Sequence, residues 1–481
     1  MKVAVSYPPL GGDRHATLGQ NRQFQWFHNP SFIYPMVPAW AATMLKLEGH
    51  EVIWNDAIAR RWTPGDFSDF LERERPELIA METKTPVVAL HWDIIRDIKD
   101  RSPETIVALF GDHVTAMPEE SMAGCPVDYV LTGGDYDFLL VNLVGHLERG
   151  IPLEPGIWFR KDGETQSTGR FALAHDLDCL PEIDRELTDW KSYGEHLFIR
   201  KPNTYTMAGR DCWYGKCTFC SWTTLYPKYR VRSEELVLDE IGHLVDRYGV
   251  REIFDDTGTF PSGGWLKRFC SGMVERGYSE KLEISCNARV DAFSENQFRD
   301  MAASGFRLLK FGLESANQAT LDRLRKGTTV EQIVESCRAA KRAGLTVHLT
   351  TMVGYPWESE QDARRTVDLA RKLLTDGDAD MLQATIVIPY PGTPLFDEAR
   401  ENGWLLTTDW SRYDMRGPVL DSPIPAEELG RLTQGLYRAF LSPSFIGRTI
   451  VSIRSLDDLK FVGRAGKAVM GHLKDFTLRR K

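Results

Sequence analysis

At 481 residues the chain exceeds what one hydrophobic core organises, so two or three domains are expected. Its 59 basic and 68 acidic residues leave a net charge of −9, which argues against nucleic acid as the main partner, and 42% apolar residues mark an ordinary globular chain. No run approaches the roughly 20 apolar residues that span a bilayer, and Met1-Lys-Val-Ala-Val-Ser-Tyr-Pro begins as a strand rather than a signal peptide, so a cytoplasmic protein is expected.

Lys2 to Ser6 reads as a short apolar strand, Pro38 to Leu47 as an apolar-faced helix ending at Gly49, and His50 to Trp54 as a strand closing on Asn55-Asp56. Leu78 to Met81, Ile106 to Phe110 and Tyr129 to Leu131 supply three more strands. Helical stretches at Asp66 to Arg73, Leu90 to Asp100 and Phe138 to Glu148 separate them. Five strand-helix units within residues 1–150 predict a doubly wound, Rossmann-like parallel sheet. Ligands of such a sheet gather beyond the carboxyl ends of its strands, here Tyr7 to Gly12, Thr83-Lys-Thr85, Gly111-Asp-His-Val-Thr115 and Gly133-Gly134.

Residues 151–200 read as a linker with a hairpin, Gly156-Ile-Trp-Phe-Arg160 turning at Asp162-Gly163. A second domain, 201–395, opens on the strand Thr204 to Gly209 and alternates again. Helices at Ser233 to Arg247, Gly264 to Arg276, Ser294 to Ala303, Val330 to Ala343 and Ser359 to Leu373 separate strands at Glu252 to Phe254, Leu282 to Cys286, Leu308 to Gly312, Thr346 to Met352 and Leu382 to Ile388. Six units make a partial (β/α)6 barrel, so the fold class is α/β throughout. Residues 396–481 form a mostly helical C-terminal region.

Between the first strand and first helix of that barrel lies Asp211-Cys-Trp-Tyr-Gly-Lys-Cys-Thr-Phe-Cys220. Three thiolates, Cys212, Cys217 and Cys220, can hold an iron-sulfur cube and leave one iron open, whereas a structural zinc site closes with four ligands. The other cysteines, Cys125, Cys179, Cys270, Cys286 and Cys337, are scattered and make no disulfide framework, as in a reducing compartment. Polar groups gather at the barrel strand ends: Asp255-Asp256, Asn287 and Arg289, Glu314-Ser315, Thr350 and Met352, and Pro389-Tyr390.

With the cysteine loop stand Tyr229-Arg-Val-Arg-Ser233, Cys286-Asn-Ala-Arg-Val-Asp291, Phe311-Gly-Leu-Glu-Ser315, Lys326-Gly-Thr-Thr329, Met352-Val-Gly-Tyr-Pro356 and Pro389-Tyr-Pro-Gly-Thr393. In this order the chain resembles the cobalamin-binding radical S-adenosylmethionine enzymes, whose methyltransferases and anaerobic ring-forming cyclases share the layout, over nearly all its length. One departure is the four residues between Cys212 and Cys217, where the family has CxxxCxxC; the extra residue adds at most about 3.5 Å of reach.

The resemblance implies a [4Fe-4S] cluster on Cys212, Cys217 and Cys220, whose open iron chelates S-adenosylmethionine and whose electron cleaves it to methionine and a 5'-deoxyadenosyl radical. Glu314 then resembles the acid near the methionine amino group and Arg289 the cation at its carboxylate, against a salt bridge between the two. Asp255 and Asp256 stand where the family meets the amino group or a substrate; adjacent strand residues point oppositely, so at most one faces inward and the other is a helix cap or ion-pair partner. Phe219 and Trp222 flank the last cysteine and cover the adenine, or simply pack. For cobalamin, His15 in Asp13-Arg-His15-Ala-Thr-Leu-Gly19 lies one residue out of register with Asp-x-His-x-x-Gly, and His113 is a second candidate ligand. Gly111 belongs to a loop around the corrin, Thr83 and Thr85 are placed to touch the nucleotide tail, and Gly133 and Gly134 permit close approach to it.

The tail from Phe445 to Lys481 carries nine Lys or Arg against three Asp, interleaved with Ile, Val, Leu and Phe. It reads as a solvated helical cap or as a basic amphipathic segment lying on an anionic membrane surface, the latter suiting a lipid or other hydrophobic substrate. The leading expectation is methylation of an unactivated carbon of a small molecule through methylcobalamin, with electrons from a ferredoxin or flavodoxin and low oxygen. The alternatives are a cyclase or oxidative rearrangement without methyl transfer, and a non-catalytic cofactor-binding regulator.

Overall fold

The computed structural model describes residues 1–11, 16–17, 24–26, 31–194 and 198–475. His15 lies outside the described residues. The strands are β1 (Lys2–Tyr7), β2 (Ala16–Thr17), β3 (Gln25–Trp26), β4 (Glu51–Asp56), β5 (Leu78–Glu82), β6 (Ile106–Phe110), β7 (Tyr129–Leu131), β8 (Ile157–Lys161) and β9 (Glu164–Ser167), then β10 (Asn203–Thr206), β11 (Gly209–Arg210), β12 (Arg230–Val231), β13 (Glu252–Asp255), β14 (Glu283–Ala288), β15 (Phe306–Glu314), β16 (Thr346–Val353) and β17 (Met381–Ile386).

The first sheet has the order β4-β1-β5-β6-β7-β8-β9. Its first five strands are parallel, with helices between them, and β1 is followed on one side by β4 and on the other by β5. That reversal of winding between β1 and β5 is the topological switch point, where a doubly wound sheet opens a crevice. Runs such as Ile-Val-Ala-Leu-Phe in β6 are apolar throughout because helices cover both faces. The hairpin expected in a linker instead extends this sheet: β8 pairs antiparallel with β7, and β9 forms the edge. Residues Trp158 and Phe159 find apolar neighbours there that an isolated hairpin would lack.

The second sheet is six-stranded and parallel, in sequence order β10-β13-β14-β15-β16-β17, the expected partial barrel. The predicted strand Thr204 to Gly209 breaks after Thr206, because Gly209–Arg210 turns away to pair antiparallel with Arg230–Val231. Helix starts are set by capping boxes at Ser294/Gln297, Thr329/Gln332 and Ser359/Asp362. In β16 and β17 buried residues alternate with half-buried ones, the latter lining the barrel interior. Asn287, Lys310, His348 and Met381 are in register as one such layer.

A single apolar core joins both sheets, running from Val3, Val5 and Tyr7 through Trp40 and Tyr193 to Ile284, Leu309 and Val347. The opposite face of the first sheet has its own core around Ile79, Leu109 and Ile95. The C-terminal region is helical, with Ala426–Arg438, Pro443–Ser452 and Leu456–Asp475 its longest helices. Among the described residues no helix is long and apolar enough to cross a membrane.

Candidate active site

The cysteine loop leaves β11 at Arg210 and is pinned by backbone bonds to two barrel loops: Thr218 N–H donates to Leu324 O at 2.9 Å, and Leu395 N–H to Thr218 O at 2.9 Å. Cys212 Sγ stands 3.2 Å from Thr259 Oγ1, and an Arg289 amino group 4.0 Å from Cys217 Sγ. Burial pushes the Cys217 thiol up, while Lys326 and Arg289 pull it back; burial pushes Cys220 further, helped by the charges of Asp211 and Cys217. The thiols therefore sense one another, and deprotonation on binding a metal is favoured by two cations beside them. Among the described residues no three His, Cys, Asp or Glu side chains are gathered as they would be around a single bound ion.

Arg289 forms a bidentate pair with Asp291, both bonds 2.9 Å, and donates to Lys326 O at 2.9 Å. Its guanidinium also faces the Tyr214 ring. Glu314 ends β15 in the left-handed region, φ +59°, and pairs with Lys326 at 2.8 Å. Gly312 makes this possible, since a Cβ there would collide with the Glu314 carboxylate and the Lys326 ammonium. Burial pulls the Lys326 pKa down, yet the charges of Glu314 and Cys217 outweigh it and leave it raised. The salt bridge weighed between Arg289 and Glu314 is thus replaced by two separate pairs that both border Cys217. Phe219 packs against Leu324, Tyr355 and Leu395, with Lys326 Nζ 5.9 Å from its ring centroid. Trp222 opens a short helix, Trp222–Leu225, with its ring 6.2 Å from that of Tyr226.

Several expected contacts are spent elsewhere. Asp255 is in register with core residue Cys286 and accepts from Thr206 Oγ1 and Ala208 N, each at 2.9 Å, and from Thr257 N at 3.2 Å. Burial raises its pKa to about 6, and those donors oppose the rise. It is the residue that braces the strand ends; Asp256 is the buried neighbour on the other face. Ser315 donates to Glu358 at 2.7 Å, beside Thr320 and Asn317, turned into a polar knot rather than toward the thiols. Tyr390 donates to Tyr413 O at 3.1 Å, and Pro389 is buried beside it, so this pair anchors the C-terminal segment. Asn287 donates to Thr257 O at 3.0 Å, while Thr350 and Met352 remain half-buried along the barrel interior.

At the switch point, Glu82 accepts from Tyr7 Oη at 2.5 Å and pairs with Lys84 at 3.0 Å, both charges being almost wholly buried. Burial pulls the Lys84 pKa down, but Glu82, Asp112 and Asp256 raise it in sum. Since Asp256 belongs to the barrel, the crevice of the first sheet and the barrel mouth meet. Thr83 Oγ1, Thr224 Oγ1, Tyr226 Oη and Asp211 Oδ1 are buried along this seam and have no hydrogen-bond partner among the described residues. Gly111, at φ +127°, lies so close to Thr83 O that any Cβ would strike it.

His113 is fully buried, with Nδ1 3.2 Å from Thr85 Oγ1 and Nε2 3.2 Å from Glu120, which also accepts from Trp410 Nε1 at 2.9 Å. Both ring nitrogens have partners within the protein, so His113, with Thr85 and Glu120, forms a clasp to the C-terminal segment. At Gly133 a Cβ would meet Phe171 of the 151–200 segment and at Gly134 it would meet Tyr226, so the close approach at Gly134 is between the two domains. The following Asp135 and Asp137 hold Arg210 at 2.9 and 2.5 Å, and Asp135 holds Arg230 at 2.6 Å. Thr259, Arg210 and this carboxylate pair escape sequence reasoning; Tyr214 and Lys326 lay within quoted motifs, the cysteine loop and Lys326-Gly-Thr-Thr329, without being singled out.

Residues 208–370 match the family model described as the radical SAM superfamily. Over 414 residues, 84% of this chain and 87% of the relative, the chain is 28% identical to an uncharacterized methyltransferase of Pyrococcus horikoshii. Over 422 residues it is 27% identical to the anaerobic magnesium-protoporphyrin IX monomethyl ester cyclase of Cereibacter sphaeroides, covering 84% of this chain and 66% of that one. In fold it is similar to TsrM from Kitasatospora setae, a radical S-adenosylmethionine methyltransferase with cobalamin and a [4Fe-4S] cluster bound (TM-score 0.68, 17% identity, 98% and 99% covered). It is likewise similar to OxsB, a cobalamin-dependent radical enzyme (TM-score 0.69, 15% identity, 98% and 71% covered).

Proposed function

We propose that this chain, a radical SAM enzyme by its domain at residues 208–370, is a cobalamin-dependent one that methylates an unactivated carbon of a small-molecule substrate. The observation that carries the reading is the seam itself: three thiols at a barrel mouth, facing a switch-point crevice, with buried polar atoms between them that the protein leaves unmatched. Such atoms fit a polar ligand, because an orphaned buried hydroxyl or carboxyl is costly until something pairs with it.

In this proposal Cys212, Cys217 and Cys220 hold a [4Fe-4S] cluster, with Arg289 and Lys326 offsetting its negative charge. The Glu314–Lys326 pair offers a carboxylate to an amino group and an ammonium to a carboxylate, the two handles of the methionine moiety of S-adenosylmethionine. Thr83 and the Tyr226 hydroxyl supply hydrogen bonds to a corrin's polar periphery, with Gly111 keeping the approach open. When bound, the cluster supplies the electron that cleaves S-adenosylmethionine and methylcobalamin supplies the methyl group. A one-electron donor of the ferredoxin or flavodoxin type reduces the cluster.

The test is anaerobic reconstitution with iron, sulfide and cobalamin, followed by S-adenosylmethionine, reductant and substrate. Formation of both 5'-deoxyadenosine and S-adenosylhomocysteine supports methyl transfer, and Cys217→Ala should abolish both. Deoxyadenosine alone with the true substrate would sink methylation and favour the second reading, a cyclase, to which the 27% identity over 422 residues points.

A further inference from the structure

Helix Pro443–Ser452 buries none of its residues. Ile446 and Ile450 are spaced one turn apart and are 43% and 63% exposed, and Val451 beside them is 81% exposed. The next helix, Leu456–Asp475, continues the pattern with Leu456 at 74%, Leu459 at 54% and Met470 at 54%. A single exposed aliphatic residue is ordinary, but six on two consecutive helices form a surface that water does not favour.

The helices are nevertheless firmly held with this side outward. Arg448 donates to the carbonyls of Leu374 and Thr375, capping the end of helix Glu360–Asp376. Arg464 donates to Phe198 O at 2.7 Å, Gln434 to Leu473 O at 3.2 Å, and His472 stacks on Tyr437 at 4.8 Å between centroids. The charges are sorted in the same sense. Asp457 lies 3.7 Å from Arg200 and 3.5 Å from Arg251, and Asp458 lies 3.5 Å from Arg200, so these carboxylates are engaged with the barrel. Arg454, Lys460 and Lys467 are exposed. A chain of net charge −9 thus presents one face where exposed aliphatic residues mingle with cations.

We propose that this face docks on an anionic phospholipid bilayer, its aliphatic residues entering the boundary between headgroups and acyl chains while Arg454 and Lys460 meet lipid phosphates. Charge complementarity selects this occupant: exposed aliphatic residues interspersed with cations match a surface that is apolar beneath and anionic above. The contact is peripheral and does not depend on which reaction the barrel performs.

The experiment is co-sedimentation of the full-length protein with vesicles of equimolar phosphatidylglycerol and phosphatidylcholine, and with phosphatidylcholine alone. The wild-type protein pellets with the anionic vesicles, and R454Q/K460Q weakens that binding roughly five-fold per cation removed. I450E/V451E abolishes it, whereas L47E, at an exposed leucine of helix Met36–Leu47, leaves it unchanged. Unaltered thermal unfolding and barrel cluster content show that each variant folds. Equal binding to both vesicle types, or wild-type binding by I450E/V451E, overturns the proposal. So does light scattering that shows a dimer which I450E/V451E splits, since the face would then belong to a second copy of the chain.

Discussion

The guanidinium carbon of Arg289 lies 3.8 Å from the centroid of the Tyr214 ring. Tyr214 sits in the lengthened stretch between Cys212 and Cys217, and its hydroxyl donates to Arg325 O at 2.8 Å. Gly327, at φ +71°, leaves room for that ring, because a Cβ would strike the phenol. The longer loop therefore brings an aromatic plate under the arginine that borders Cys217.

Tyr214→Ala should cost about 0.5–2 kcal/mol of loop stability through the lost cation–π contact. The readout is iron: the reconstituted variant releases it to a chelator several times faster than the wild type. Arg289→Lys keeps the charge but loses the two-bond fork to Asp291, and should be as leaky. Wild-type iron retention by both variants would dissociate the stacking from the cluster loop.

Arg210 and Asp137 form a fully buried ion pair between the first sheet and the cysteine loop. Arg210→Met leaves the buried Asp137 without its partner, while Asp135 keeps Arg230, and should destabilise by about 3–5 kcal/mol, read as a lower midpoint in denaturant. Adding Asp137→Leu should recover part of that loss. Additive losses in the double variant would mean that the pair is not coupled.

Asp135 also binds His175, which faces Glu154 as well, at 3.2 and 3.0 Å. Burial pulls the His175 pKa down, but the Asp135 bond and the Glu154 charge outweigh it and leave it above 6.5. A raised folded-state value means that this contribution is complete below pH 6.5 and fades as pH climbs through the folded value. Melting temperatures compared at about pH 6 and about pH 8 should therefore fall more for the wild type than for His175→Gln. Parallel falls would remove His175 from the clamp.

His113→Leu breaks the clasp to Thr85 and Glu120 and lowers the melting temperature, yet leaves the absorption spectrum of bound cobalamin unchanged. A shifted spectrum would restore His113 as an axial ligand. Thr83→Val tests the opposite case: its hydroxyl has no partner to lose, so the cofactor-free stability changes by less than about 0.5 kcal/mol while cobalamin affinity drops.

The alternation of apolar and polar runs was enough to locate the parallel strands of both sheets, since each buries a continuous or period-two face. What escaped depends on partners distant in sequence. Nothing local distinguishes Asp135 and Asp137 as partners of Arg210, some 73 residues from Asp137, from acids that line a ligand loop. Gly133 and Gly134 likewise signal close approach without naming Phe171 and Tyr226 as the visitors. Asp255 and Asp256 looked equivalent until the register with Cys286 assigned their faces. The hairpin at 157–167 was recognised, but its docking on β7 is a tertiary choice.

Arg210 stands two positions before Cys212, so the ion pairs that bind it act as a gauge block between crevice and thiols. The spacing is calibrated by the polypeptide before any ligand arrives. Two cofactors taken up along this seam would then need no order of loading, because neither has to build the other's seat.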